Sequence, residues 1–587
     1  MGTISDKLMR IINTKEDIRQ ALISKGYDVP TSIPFKEYAK MISDLPCRVD
    51  SFPDIEGIVA RYSALGLTNE QMAANPVWVD KTGNGHDLQM KNFAWKEGSG
   101  ISDIYPGALV FDGVDDWAEC DNLPLLPKEK GYSIIALRNW ITRYDATQYK
   151  RPLISNLDTN DRGAFLIEYR KDENVNDVTG SYNSFTDVYI DDNNPITWQT
   201  SSSYNGQIIK KRTSNSTNKL CICKTYFGQL ANYANAAIWE LVILDHDATE
   251  EELTKIKDYF VKTYPWLSPD QAWTVTGKTN EDEDRATIAN ITGNGNDLVL
   301  SNFGFAEGSG YGLYAENYAG GRWVQSTYRA DLTWTSYSVN ITSVKVASTQ
   351  LYYQSYPEQP SFTVPSYKIK VYGLKDGQTL SYRQVTSEGQ QLYEISEDGT
   401  YTLPSFPFKA NGDWYGFTLN KVQESCDITI EQIPEYEGYL VTDGIDDRVQ
   451  DSSFKLNKDW TLVGEWVFLN QKATNAGITK PFSFVVYNRT TGLSIFINTG
   501  TSGITIENVK SIKAICSDGR IYLDDWSEML ISKDQNITSS ASVLSIGFNG
   551  TAYTQMAFKN LGIYNNQILS KDDCIKAYNY LQTLKSK

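Results

Sequence analysis

Two stretches of this chain repeat each other without a gap, which confines it to folds that can be built twice. Residues 81–100 read KTGNGHDLQMKNFAWKEGSG and residues 291–310 read ITGNGNDLVLSNFGFAEGSG. Gly83 falls opposite Gly293, Asp87 opposite Asp297, Phe93 opposite Phe303 and Gly98 opposite Gly308, always 210 residues apart. A second pair follows, FDGVDD at 111–116 and TDGIDD at 442–447, now 331 residues apart. The second copy therefore carries 121 extra residues between Gly310 and Asp443, enough for a domain inserted into the repeat.

The bulk of the sequence narrows the classes of partner. At 587 residues, three or four domains are expected, and a 41% hydrophobic share gives each a core. The net charge of −17 repels nucleic-acid phosphates and anionic lipid alike. No apolar run approaches the roughly 20 residues of a membrane span. Asp6, Lys7 and Arg10 interrupt any signal-peptide pattern, so synthesis in a cytoplasm is expected. The seven cysteines are mostly isolated, as buried thiols of a reducing compartment would be. Cys221 and Cys223 have no further Cys or His nearby in sequence to complete a zinc set.

Residues 1–46 have the pattern of three short amphipathic helices, with Leu8, Ile11 and Ile12 on one face and Ile18, Leu22 and Ile23 on the next. So little core suits either a cap on the next domain or an anchor into a larger assembly. Residues 51–267 read as short strands parted by Asn, Asp, Gly and Ser, with IWELVIL at 238–244 apolar enough for a central strand. One helix closes this unit, capped by Asp247 or Thr249; a second, capped by Ser570 with Asp573 three residues on, closes the chain. The second unit covers 270–329 plus 437–587. The insert, 330–436, alternates cleanly in YKIKVY at 367–372 and has Asp-Gly and Asn-Gly turns, which fits a small immunoglobulin-like or fibronectin-like sandwich.

The repeated motifs offer limited chemistry. Asp112, Asp115 and Asp116 place three carboxylates within five residues, and Asp443, Asp446 and Asp447 repeat them. Such a group suits calcium, a hard cation; it equally suits an Asp-Gly turn whose acids hold loop N–H groups. TGNG lacks the strand–helix context of a dinucleotide site and the Lys-Ser/Thr of a phosphate loop, so its glycines are expected to serve a left-handed turn. His86 faces Asn296 in the other copy, so no imidazole chemistry is shared, and His246 is expected to be exposed. Neither G-x-S-x-G nor H-E-x-x-H occurs. Trp95, Trp117, Trp140 and Trp198 in the first unit, and Trp323, Trp460, Trp466 and Trp526 in the second, are candidates for a saccharide platform. Trp140 and Trp466 suit a core better, and Trp117 suits a surface, since Arg448 replaces it in the second copy.

The string FDGVDD followed by IWELVILDHDATEEELTKIKDYF, with LVTDGIDDRVQ and NLGIYNNQILSKDDCIKAYNYL in the second copy, resembles the laminin-G-like, concanavalin-like jelly-roll lectins. The leader INTKEDIRQALISKGYDVPTSIPFKEYAKMI resembles leader segments of structural proteins from Bacteroidetes-infecting tailed phages, crAss-like phages included. The resemblance implies a mainly β chain of two tandem jelly rolls with an inserted sandwich and a helical leader. It implies a non-enzymatic head or tail fibre on the virion surface, a homotrimer joined to other virion proteins through 1–46. Host-surface glycan would be contacted near Trp117 and Trp95, or by Tyr352, Tyr353 and Tyr356 of the insert. A cellular carbohydrate-binding protein and a glycan hydrolase are the alternatives, and the insert could equally be a spacer or an intersubunit brace.

Overall fold

A computed structural model describes residues 52–126, 132–142, 150–156, 217–225, 232–306, most of 308–469 and most of 511–586. Arg19 and three short strand pieces between 166 and 200 complete the described set. The rest of the leader, Trp198 and Tyr356 lie outside it. The described residues are mainly β-strand, arranged as discrete sheets around three separate buried clusters.

In the first copy the strand Asn235–Leu244 is buried from Ala236 onward, as its apolar run requires. Ser133–Thr142 lies along one of its edges. Ile58–Ser63 and Leu109–Asp112 share the other edge end to end. The facing sheet runs Val77–Trp78, Leu88–Lys91, Trp117–Cys120, Leu220–Ile222, Lys150–Ser155 and Leu166–Arg170. Trp78, Phe111, Ile134 and Leu241 belong to the core of this copy.

The second copy repeats the scheme. Met556–Asn565 is its central strand, with Trp460–Phe468 on one edge and Gln271–Thr274 and Glu435–Val441 sharing the other. Its facing sheet is Thr287–Ile288, Leu298–Ser301, Arg448–Asp451 and Leu544–Ile546, the same order as the first four strands above. Even the register matches: Arg61 lies opposite Val242, and Gln271 opposite Ile563.

The place of the insert is now explicit. In the first copy Gly100–Ile101 pairs with Leu109–Asp112 across the short connection 102–108. In the second, Gly310–Leu313 pairs with Glu435–Val441, and the extra residues leave from the tip of that hairpin. Loop tips tolerate insertion because little packing depends on them. The insert has two five-stranded sheets over a core that includes Tyr318, Trp323, Ile369 and Phe417. Its strand Tyr367–Tyr372 alternates buried and exposed residues throughout, as the sequence predicts.

The junctions are packed. Glu316 N–H donates to Gln432 Oε1 at 3.1 Å, and Gln432 Nε2 donates back to the Glu316 carbonyl at 2.9 Å. Between the two copies, Tyr564 donates to the Trp266 carbonyl at 2.9 Å, Asp270 Oδ2 accepts from Asn565 N–H at 2.6 Å, and Lys576 Nζ sits 4.5 Å from the Trp266 ring. Both closing helices are capped: Thr249 and Glu252 form a reciprocal box at Glu250–Thr263, and Ser570 accepts from Asp573 N–H at Lys571–Thr583.

Gly100 and Gly310, at φ +142° and +137°, turn the chain from one sheet to the other. A Cβ at either would press on backbone, 3.0 Å from Trp95 Cα or 2.9 Å from Phe305 Cα. It would also displace the Asn69 or Asn280 oxygen that accepts from the next N–H at 2.7 Å. Gly308, at φ +85°, has open space around it. In urea unfolding, Gly100→Ala and Gly310→Ala should each cost about 2 kcal/mol or more, and Gly308→Ala about 1 kcal/mol. Equal costs at all three would contradict the close approach.

Candidate functional site

The DG-x-DD strings are the corners where the chain leaves one sheet for the other. Leu109–Asp112 lies in the sheet of the central strand and Trp117–Cys120 in the facing sheet. N–H groups at such a corner have no ladder partner and need another acceptor. Asp112 Oδ1 accepts from the N–H groups of Val114, Asp115 and Asp116 at 2.8, 3.2 and 3.3 Å. Asp116, fully buried, accepts from Asp112 N–H through Oδ2 at 3.0 Å. In the second copy Asp443 Oδ1 accepts from Ile445 and Asp446 N–H at 2.7 and 3.3 Å, and Asp447 Oδ2 from Asp443 N–H at 2.7 Å.

The two repeated strings meet at this corner. Asn92 Nδ2 donates to the Asp115 carbonyl at 3.2 Å, and Asn302 Nδ2 to the Asp446 carbonyl at 2.9 Å. Ser309 Oγ donates to Asp447 Oδ1 at 3.5 Å. Asn92 and Asn302 hold left-handed backbone at φ 67° and 68°, which their short amide side chains tolerate. Sequence reasoning passed over these asparagines and serines, although both are identical in the two copies.

Burial pushes the Asp116 carboxyl up to about 6, while hydrogen bonds from Ser99 and the Asp112 backbone pull it down and Asp112 and Asp115 push it further up. Burial likewise pushes Asp447 up to about 7. In each trio one oxygen per carboxylate lies within 4.8 Å of the others, so each trio could hold a divalent cation such as calcium. The hydrogen bonds already made show the first task of these acids to be folding the corner.

TGNG is the hairpin turn between adjacent strands of the facing sheet, and its glycines take the positive φ expected of them. Asp80 Oδ1 accepts from Thr82 N–H at 3.0 Å, and Asn290 Oδ1 from Thr292 N–H at 3.1 Å. The main chain of His86 is held on both sides, its N–H by Asp80 Oδ2 and its carbonyl by the Tyr62 hydroxyl. His246 is half-buried between Asp245 and Glu252, each 3.2 Å away, rather than exposed. Burial opposes its charge, but hydrogen bonds to those carboxylates prevail and raise its pKa.

The aromatic candidates are dispersed. Trp95 is half-buried, stacked 4.8 Å from Phe93 and packed on the first core. Trp117 is half-buried as well: Lys224 Nζ lies 4.0 Å from its ring centroid and Tyr233 flanks it at 5.8 Å. In the second copy Arg448 pairs with Tyr553 instead, Nη2 donating to the hydroxyl at 2.6 Å. Trp140 and Trp466 are buried, as are Trp323 and Trp460. Trp526 is half-buried beside Tyr578 and Lys513. Tyr352 packs edge-on to Trp414, and Tyr353 stacks on the buried Tyr415 at 5.0 Å.

A cleft of about 350 Å³ lies elsewhere on the insert, lined by Gln384, Thr386, Gln390, Gln391, Phe406 and Pro407 together with Gly389 and Lys409. Gln390 and Gln391 belong to the edge strand Gly389–Ile395, whose first six residues are all exposed. No alternation of apolar and polar residues marks this strand in advance.

No family model matches the chain, and no curated protein matches it. Among solved structures, the receptor-binding domain of botulinum neurotoxin type G is similar at 12% identity and a TM-score of 0.20, over 64% of this chain and 98% of that one. Likeness at that score supports no conclusion. No helix among the described residues is long and apolar enough to cross a membrane.

The raised carboxyls fix a pH dependence. An unfolded Asp titrates near 3.9. Below about pH 4 both states hold the proton and the stabilisation is complete. As pH rises from about 4 through about 6 and 7 the unfolded state releases protons that folded Asp116 and Asp447 keep, so stability falls. Urea midpoints across this range should fall less steeply in Asp116→Asn/Asp447→Asn than in the wild type. Parallel curves would show that neither acid is held protonated.

Proposed function

We propose that this chain is a structural appendage protein of a tailed-phage virion, a head or tail fibre, with two laminin-G-like jelly rolls and an immunoglobulin-like insert that contacts host-surface glycan. Residues 1–46 dock it to other virion proteins, and three copies assemble together. The leader resemblance and the packed junctions support the appendage reading, since a displayed module held at a fixed angle needs joints without slack.

The cleft on the insert is the observation that carries glycan contact. Gln384 and Gln391, opposite each other in the ladder, and the Thr386 hydroxyl supply donors and acceptors matched to sugar hydroxyls, and Phe406 and Pro407 supply apolar surface. None of its lining residues is a carboxylate. A glycosidase needs two of them across the scissile bond. The cleft therefore suits binding without cleavage. Trp117, beneath Lys224, suits a stacking platform less well than its sequence context implied.

A glycan array with the full chain and with Gln390→Ala/Gln391→Ala tests this reading. Both residues are exposed, so folding should be unaffected. Binding should drop by about tenfold or more, the worth of one or two hydrogen bonds. Unchanged binding would refute the cleft as the glycan site. Mass spectrometry of purified particles should find the chain, and its absence would refute the appendage reading in favour of a cellular carbohydrate-binding protein.

A further inference from the structure

The insert strand Gly389–Ile395 ends its sheet with one edge unoccupied among the described residues. It pairs with Leu380–Thr386 over seven consecutive positions without a bulge. It contains no Pro, Lys or Arg, the residues that ordinarily keep an open edge from pairing with another chain. The other edges of the insert are shorter or broken. Trp323–Gln325 has three residues, Gly399–Leu403 has five, and Ala330–Trp334 shifts register between Asp331 and Leu332. Leu392 and Tyr393, 46% and 39% exposed, are the one pair of adjacent large apolar side chains open to solvent among the described residues.

Successive residues of an antiparallel strand turn their main-chain N–H and C=O to opposite edges. Asn420 N–H donates to the Thr379 carbonyl at 3.1 Å, in the register that sets Leu380 opposite Leu419. Ser381, Arg383 and Val385 therefore serve the neighbouring strand Trp414–Leu419, while Leu380, Tyr382, Gln384 and Thr386 serve Gly389–Ile395. Their partners there are Ile395, Tyr393, Gln391 and Gly389, which leaves the N–H and C=O of Gln390, Leu392 and Glu394 on the open edge. Leu392 is the middle of these three. Laid antiparallel on itself about Leu392, the strand sets Leu392 on Leu392 and, on either side, Gln390 on Glu394, with about six main-chain hydrogen bonds. Glu394, the only charge of the strand, then meets a neutral amide donor. A parallel pairing in the same register would set Glu394 beside Glu394.

We propose that the edge strand Gly389–Ile395 pairs antiparallel with the same strand of a second molecule of this chain, about a two-fold axis at Leu392. The same patch meets itself, as in other two-fold contacts, and Leu392 packs on its own counterpart. Tyr393 of either molecule falls opposite Gln391 of the other, at a position without main-chain bonds where side chains approach closely. Gln391 lines the cleft of the insert, so each cleft gains a tyrosine ring at its rim from the other molecule. Contacts so few make a weak, reversible interface. A two-fold contact does not close a ring of three, so it joins copies belonging to separate trimers. The pairing needs no sugar and stands independently of the glycan reading.

The test introduces single cysteines into the full-length chain, oxidises it gently with air at high concentration and traps the pair. Opposed Cα atoms at the axis lie about 5.5 Å apart, within reach of a disulfide. Leu392→Cys should therefore link to itself, giving on a non-reducing denaturing gel a species of twice 66.1 kDa whose digest joins two copies of one peptide. Gln390→Cys and Glu394→Cys should each link about tenfold less alone, because like residues stand about 13 Å apart along the strands, and should link readily when mixed. All three side chains are exposed, so the fold should survive each change. In sedimentation at rising concentration, the wild type should approach twice the mass of Leu392→Lys, which sets two like charges on the axis. Absence of linked Leu392→Cys, equal linking by Gln390→Cys alone, or equal masses for wild type and Leu392→Lys would overturn the proposal.

Discussion

A buried carboxyl at each sheet corner is the constraint on which both sandwiches depend. Where the chain crosses from one sheet to the other, ladder hydrogen bonds stop while the backbone is still being buried. Asp116 and Asp447 close that gap by accepting the N–H of the first residue of the turn, and Asp112 and Asp443 accept the N–H groups that follow. An unpaired backbone N–H in such a place would cost about 1–3 kcal/mol. The solution has its own cost, because a carboxylate away from water resists ionisation. It persists in both copies because each corner needs the same geometry, whatever else the copies have come to do.

Corner and hairpin together explain how one copy could acquire a domain. The strands Gly310–Leu313 and Glu435–Val441 pair as their counterparts Gly100–Ile101 and Leu109–Asp112 do. The core beneath them is therefore complete whether seven residues or an entire sandwich leaves the tip. The reciprocal bonds between Glu316 and Gln432 then fix the insert where it emerges. The copies diverge in the insert and in the exchange of Trp117 with Lys224 for Arg448 with Tyr553.

The parts legible in the sequence are those that backbone geometry or burial forces on residue type. The apolar run at 238–244 marks a central strand because both of its faces are covered. Thr249 and Ser570 mark helix starts because the first N–H groups need an acceptor, and the structure chooses Thr249 over Asp247. The meeting of the two repeated strings was not legible. Asn92 reaches Asp115 over 23 residues and Asn302 reaches Asp446 over 144, and only the folded chain shows these as one contact. The glutamine cleft left no trace either, since exposed polar side chains follow no period. Trp117 misled for a related reason: its replacement by Arg448 suggested an exposed site, whereas both residues are packed, Trp117 against Lys224 and Tyr233 and Arg448 against Tyr553.

Native-state hydrogen exchange at residues 112–116 and 443–447 tests the corner account most directly. Surface turns ordinarily exchange through small local openings. If the carboxylates hold these corners, the amides of Asp112 and Asp443 will be protected to the level of the strands that lead into them, and Asp116→Ala and Asp447→Ala will each release the corner in their own copy. Exchange as fast as that of the exposed edge strand Gly389–Ile395 in the unaltered protein would contradict the account.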